Sequence, residues 1–540
     1  MLRNILLSCL IVALSWLPVF AVSHVQASPG AEPVQAYWVF FSDKDGATFD
    51  PHAFFHPRAI ERRLHHGQCL FDSLDWPVRN DYLEKISPLV DTLRTVSRWF
   101  NAARVLARPE QVVALEQLPF VVEVRATQVQ SMPAASGTVQ AEVPGLTPQM
   151  LEQLLAQVSA MEGTRFHDHG YDGSGLRIAI LDGGFPGADT HPVLSHLMEN
   201  NRIVKTWDFH RNREDVFRHN KHGTMVLSVL GGLHEGLPMG LATGAEYLLA
   251  RTEIWREPFF EEEYWLAAVE WADQHGAHII NSSLGYSYHR YFPEEMDGST
   301  SLVAEAAAIA FRKGMLVVNS AGNSGMDESW RIIATPADSP FVLAVGAVDH
   351  STWLGTLYSS RGPTADGRVK PNVAAVGNVV TADRRGFSTT SGTSFSSPLV
   401  AGFAACLWQM FPSWTNRQLF DALQSSGHLY PYFDLIHGYG IPQAGYFLEH
   451  PGSIRYDTFD FVKDKGTLTV MLRDLKPAKT RESPFDGYVY YHIRNAVGEI
   501  EQYYVVEATE QKVLSFRINE FEPGQRLMVH YRGFTATWTF

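Results

Sequence analysis

The chain has 540 residues, more than one ordinary domain holds, and its length sets a prior of about three domains. Its 44 basic residues stand against 58 acidic ones, a formal net charge of −14, which favours solubility and argues against a nucleic-acid-binding surface or a polyanionic partner. Of three cysteines, Cys9, Cys69 and Cys406, only the last lies beyond residue 150, so the remainder of the chain can form no internal disulfide.

Residues 1–27 place Arg3 ahead of an apolar run from Ile5 to about Ala21, with small residues at Ala21 and Ala27. This reads as a secretory signal peptide. A permanent membrane anchor is opposed by Pro18 and by the shortness of the run, so no stable span is expected once the signal is removed. Residues 34–127 form a first unit: a strand at YWVFF (37–41), a helix at HPRAIERRL (56–64), a second helix at PEQVVALEQL (109–118) and a buried strand at FVVEV (120–124). Together they make a small α+β module. Residues 128–150, rich in Pro, Gly, Ser and Ala and almost free of charge, read as an exposed linker.

Over residues 151–450 apolar strands alternate with amphipathic helices. RIAIL (177–181), EYLLAR (246–251), HIINSSL (278–284), MLVVNSAG (315–322) and FVLAVGAV (341–348) read as strands, with helices at 261–276 and 299–314 between them. Such alternation predicts an α/β fold with a parallel sheet and helices on both faces. Three short blocks carry candidate chemistry. IAILDGG (178–184) aims Asp182 out of a buried strand, HGT (222–224) sets His222 beside a glycine, and SGTSFSSPLVAG (391–402) delivers Ser394 to the first turn of an apolar helix, where N–H groups can stabilise an oxyanion. They lie 40 and 172 residues apart in the order Asp, His, Ser, so only a folded α/β domain can bring them together.

The competing chemistries leave no such trace. No H-E-x-x-H zinc signature occurs, Ser394 sits in G-x-S-x-S rather than G-x-S-x-G, and no phosphate-cradling G-x-x-x-x-G-K-[ST] is found. The acidic stretches GYDG (170–173) and PEEMDG (293–298) could supply oxygen ligands to a structural calcium, though solvated loops are the plainer reading. Cys406, among Ala404, Ala405 and Leu407, reads as core packing. From 451 to 540 short aromatic and β-branched runs, including GTLTVML (466–472), GYVYYHI (487–493), QYYVVEA (502–508) and RLMVHY (526–531), predict a C-terminal β-sandwich.

Beyond the three blocks, NSSLG (281–285), VVNSAGNSG (317–325), TPADSPFVLAVGAVD (335–349), SSRGP (359–363) and KPNVAAVG (370–377) follow in order. With them the chain resembles subtilisin-like serine proteases, the subtilases, over roughly residues 160–445. The resemblance implies a secreted serine endopeptidase that cleaves protein or peptide substrates through Asp182, His222 and Ser394 and needs no cofactor for catalysis. It implies an oxyanion role for Asn323 and substrate-backbone pairing along Ser283, Leu284 and Gly285. The first module would be a propeptide, at once folding chaperone and intramolecular inhibitor, cut off within about 125–148. Tyr286 and the segment 288–298 are expected to narrow the cleft. Departures are Gly183, where the family usually has Ser or Thr, Leu227 for alanine and Val376 for proline; none removes a reactive group. The alternative is a catalytically idle scaffold or surface-binding protein on the same fold.

Overall fold

The computed structural model describes residues 34–65, 67, 69–127, 143, 145–254, 260–287, 290–384, 386–449, 457–473, 484–508 and 513–540. The signal-like segment, most of the linker, and residues 288 and 289 lie outside them.

The N-terminal module is a four-stranded antiparallel sheet ordered Thr92–Ser97, Ala102–Ala107, Gln35–Phe41 and Val121–Ala126. One face is closed by the helices Asn80–Ile86 and Pro109–Glu116 over a core of Val39, Phe41, Tyr82, Val105 and Leu115. Its hairpin 92–107 is a finding beyond the strand, helix and strand expected. The turn between the two strands uses Asn101 at φ 47°, a conformation asparagine tolerates. The other face adds Trp38, Trp99 and Ala102 to a cluster with Trp265, Leu266, Ala268 and Val269, so it is seated on the helix Phe260–Gln274.

The central unit is a seven-stranded, wholly parallel sheet in the order Val373–Val376, Val342–Val348, Leu316–Ser320, Ile279–Ser282, Arg177–Asp182, Glu246–Arg251, Ile203–Asp208. Helices cover both faces, which is why the inner strands are buried at every position and read as unbroken apolar runs. His222–Gly231 and Thr393–Met410 lie on one face, Phe260–Gln274 and Leu302–Arg312 on the other. Strand order reverses between Arg177–Asp182 and Ile279–Ser282, and such a switch point opens a crevice at the carboxyl ends of the strands. Asp182 ends one of the two strands that flank it, and Ser283 directly follows the end of the other.

A hairpin, Asn378–Ala382 with Phe387–Ser391, leads into the helix Thr393–Met410, which is buried from Thr393 to Trp408. Cys406 is fully buried on it, its thiol pushed well above the usual range by that burial.

The C-terminal part is two antiparallel sheets, Phe459–Asp464, Thr467–Leu472 and Val513–Arg517 in one, Ile500–Glu507, Tyr488–Arg494, Arg526–Tyr531 and Phe534–Thr539 in the other. They share one core through Leu468, Val470 and Leu514 against Val489, Leu527 and Val529, the sandwich arrangement expected. The larger sheet meets the central unit at Leu429 and Tyr432, which pack on Tyr490, while Phe485 stacks on the His428 ring at 3.8 Å.

Candidate active site

Asp182 is the last residue of its strand and is fully buried. Its carboxylate accepts the Gly183 N–H at 2.7 Å and faces His222 Nδ1 at 2.9 Å from both oxygens. Two glycines make that approach feasible. Gly184 has φ +140°, and a Cβ there would lie 2.4 Å from the Arg218 carbonyl oxygen; a Cβ on Gly223 would lie 2.5 Å from the Gly184 carbonyl oxygen. The helix that begins at His222 can therefore press its first turn against the turn that follows Asp182. Asn220 fixes the entry, its Oδ1 accepting the His222 N–H at 3.0 Å. A side chain at Gly183 would meet Asn220 Cβ at 3.0 Å, so the glycine in place of the expected hydroxyl residue goes with the position of Asn220.

Burial drags the His222 pKa down, but attraction to the Asp182 carboxylate and the hydrogen bond to it outweigh this, and the pKa ends above the ordinary histidine value. The imidazole packs against Phe395, ring centroids 5.5 Å apart, and so stands beside the first turn of the helix that carries Ser394.

Gly392 precedes that helix, and Ser394 is its second residue, where an N–H has no acceptor within the helix. The Ser394 hydroxyl donates to the Ser283 carbonyl oxygen at 3.3 Å, and Ser283 Oγ donates in return to the Ser394 carbonyl oxygen at 2.8 Å. In this rotamer Ser394 makes no hydrogen bond to the His222 ring. Asn323 Oδ1 accepts both the Thr393 N–H and the Thr393 hydroxyl, each at 3.0 Å, and Thr393 Oγ1 accepts the Gly322 N–H at 3.2 Å. With its oxygen so engaged, the Asn323 carboxamide is left with Nδ2 as the group to offer.

Ser283, Leu284 and Gly285 continue the strand Ile279–Ser282 past its end. The Leu284 carbonyl oxygen accepts from Asn319 Nδ2 at 2.8 Å, and Tyr286 exchanges backbone hydrogen bonds with Thr335. Gly285 is exposed and, among the described residues, its N–H and C=O have no partner, as a segment open to an added strand requires. Tyr286, expected to narrow the cleft, does not: it is buried, its hydroxyl directed to Glu253 Oε1 and the Glu261 carbonyl oxygen. Its apolar ring is part of the core beneath the helix 260–274.

Beside the Asp182–His222 pair lies a cleft of about 590 Å³ bounded by Gly183, Asn220, Lys221, Arg251, Glu253 and Arg384. Three of the four carboxylates in the two acidic stretches are engaged within their own loops: Asp172 accepts the Ser174 N–H, Glu295 the Phe292 N–H, and Asp297 bonds Ser299 and Thr300. Among the described residues no three His, Cys, Asp or Glu side chains converge to hold a metal.

Residues 173–440 match the model of the subtilase family, and residues 36–142 match that of the peptidase S8 propeptide domain of Bacteroidota. The chain belongs to the subtilase family. This subtilase is 28% identical over 274 residues to subtilisin E of Bacillus subtilis (strain 168), an alignment covering 50% of the chain and 65% of that relative. It is 29% identical over 289 residues to the thermostable alkaline protease of Halalkalibacterium halodurans, covering 53% and 72% of the two chains. The chain thus spans just under two thirds of the length of the subtilisins of Bacillus subtilis. Its fold is shared with fervidolysin from Fervidobacterium pennivorans, at a TM-score of 0.53 and 17% identity, over 93% of this chain and 72% of that one.

Thr393, Asn220 and Gly184 were not singled out in the sequence. Thr393 borders Ser394 in every reading, but its hydroxyl gains meaning only from a residue 70 positions away.

Proposed function

We propose that this subtilase is a secreted serine endopeptidase acting through Asp182, His222 and Ser394, made as a zymogen whose N-terminal module inhibits it until it is cut away. The observation that carries the reading is the Asp182–His222 pair, with Nδ1 2.9 Å from both carboxylate oxygens, set beside the helix turn that holds Ser394. With Nδ1–H given to Asp182, the neutral imidazole presents Nε2 as the base. Turning the Ser394 hydroxyl from the Ser283 carbonyl to that nitrogen lets its oxygen attack a peptide carbonyl as the proton passes to His222. The proton then goes to the leaving amine, and water resolves the acyl-enzyme by the same path reversed. The negative charge of the tetrahedral intermediate falls to Asn323 Nδ2 and the Ser394 N–H. An extended substrate adds along Ser283, Leu284 and Gly285, and pairing through the backbone tolerates many sequences. No step calls for a cofactor; a structural calcium would be a separate matter of stability.

Secretion rests on residues 1–27, and among the described residues no helix is long and apolar enough to cross a membrane. Removal of the inhibitory module requires cleavage within about 125–148. The test is expression of the full chain and of a Ser394→Ala variant. The parent should lose its N-terminal module and degrade casein, and the variant should do neither. A variant that still matures and digests casein, or a parent that folds and does neither, would leave the idle-scaffold alternative standing.

A further inference from the structure

The loop that carries Asn323 is held from behind as well as from the Ser394 helix. The Ser360 N–H donates to the Gly322 carbonyl oxygen at 2.9 Å, and Ser360 Oγ accepts the Ser324 N–H at 3.1 Å. The Gly325 N–H donates to the Tyr358 carbonyl oxygen at 2.9 Å, and Arg361 Nη2 donates to the Gly325 carbonyl oxygen at 3.1 Å. The two segments are in close approach: a Cβ on Gly325 would lie 2.2 Å from the Ser359 carbonyl oxygen. Four hydrogen bonds thus fasten residues 322–325 to residues 358–361, and a shift of the second segment must carry the first with it.

Arg361 joins this clamp to the rest of the molecule. Its backbone is fixed on both sides, the N–H donating to the Arg331 carbonyl oxygen at 3.0 Å and its own carbonyl accepting the Ile333 N–H at 3.2 Å. Its side chain reaches back to the Gly325 carbonyl oxygen, two residues past Asn323. The neighbouring Gly362 N–H donates at 3.0 Å to Leu435, in the segment on which the larger C-terminal sheet rests.

We infer that Arg361 is a positioning residue for the Asn323 carboxamide, acting through its hold on the turn at Gly325. This rests on the oxyanion role given to Asn323 above. A bridge of merely structural value would alter the melting temperature and leave turnover alone. A positioning bridge should alter kcat at constant KM, since the carboxamide contacts the substrate oxygen only as charge develops on it.

The experiment uses the full chain and a chromogenic peptide, with Arg361→Met and Arg361→Lys made both in the parent and in an Asn323→Ala background. In the parent, Arg361→Met should lower kcat about tenfold with KM unchanged, and Arg361→Lys should recover part of it. A peptide boronic acid, which forms a tetrahedral adduct with the serine, should bind the variants more weakly in the same proportion. In the Asn323→Ala background each change should matter less than about twofold, because the donor it positions is gone. Equal losses in both backgrounds, or a lower melting temperature with unchanged kcat, overturn the inference. If Asn323→Ala itself leaves kcat intact, the oxyanion reading fails instead, a different outcome from any of these. Should Arg361→Met not fold, Arg361→Lys carries the same comparison.

Discussion

His222 shares its Nδ1 with both oxygens of Asp182, and the pull of that carboxylate outweighs burial to leave the ring more basic than an ordinary histidine. The proposed base works only when neutral, so the acid limb of kcat/KM should lie above the unperturbed value of about 6.5, as a pH–rate profile on a neutral peptide will register. The sign for stability is the opposite. A raised folded-state pKa stabilises the fold fully below the unfolded value, and that contribution is lost as pH rises through the folded one, so the ion pair is strongest where the enzyme is idle. Thr393 supplies a second test. Thr393→Val keeps the shape but removes one of two donors to Asn323 Oδ1 and the acceptor of the Gly322 N–H. An expected loss of about 1–3 kcal/mol in unfolding free energy, with kcat lowered about tenfold and KM little changed, can be read by denaturant melts and initial rates. Asp182, His222, Asn323 and Ser394 were legible because each sits in a short block at a strand end or helix start, where local sequence dictates the backbone. Thr393, Ser360 and Arg361 were not, since a hydroxyl or guanidinium shows its purpose only when distant residues come to meet it.

The helix Phe260–Gln274 is shared between the central sheet and the N-terminal module. From its underside Glu270 receives the Ser97 hydroxyl and the N–H groups of Arg98 and Trp99, with Lys44 contributing charge nearby. Burial is the largest influence and pushes the Glu270 carboxyl up to about 7 against the opposing hydrogen bonds. Its folded-state pKa is raised, so the docked module gains stability that is complete below about 4.5 and fades as pH rises through about 7. In the Ser394→Ala chain, amide exchange at residues 97–99, corrected for the intrinsic rate, should quicken across that interval, and Glu270→Gln should flatten the dependence. Central strands of the parallel sheet were readable as apolar runs, since both of their faces are covered. Ile203–Asp208 was not: it is the sheet's edge, mostly half-buried, and its IVKTWD carries no apolar run. The strand Phe459–Asp464 escaped for the same reason, its FDFVKD being largely exposed. Hairpin 92–107 was hidden by a turn without glycine.

At the scale of the molecule, the C-terminal sandwich is joined to the central unit through buried histidines that each accept a hydrogen bond on one ring nitrogen. His428 Nδ1 accepts the Ile441 N–H at 2.9 Å and His437 Nε2 accepts the Gly355 N–H at 2.9 Å. His492 sets Nδ1 2.7 Å from the Phe433 carbonyl oxygen and takes Arg494 Nε on Nε2 at 2.8 Å. Burial first, then the Arg494 charge, lowers His492 to about 4, and burial holds His428 well below the ordinary range. Depressed values mean stability that is present above about 6.5 and lost as pH falls through the folded pKa, about 3 kcal/mol for His492 alone. Calorimetry between about pH 7 and 4 should find the melting temperature falling, less steeply in His492→Gln, which cannot take up the proton. The N-terminal junction has a different character. On one helix Glu263 meets Thr95 and Arg104, Glu270 meets Ser97, and Asp273 meets Arg62 and Arg63. A catalytic unit stripped of its first 127 residues would keep those three acids as a naked strip, with no arginine left to answer them. It would then be a socket without its plug, able to take the same module back from solution, and salt added to the buffer should slow that return.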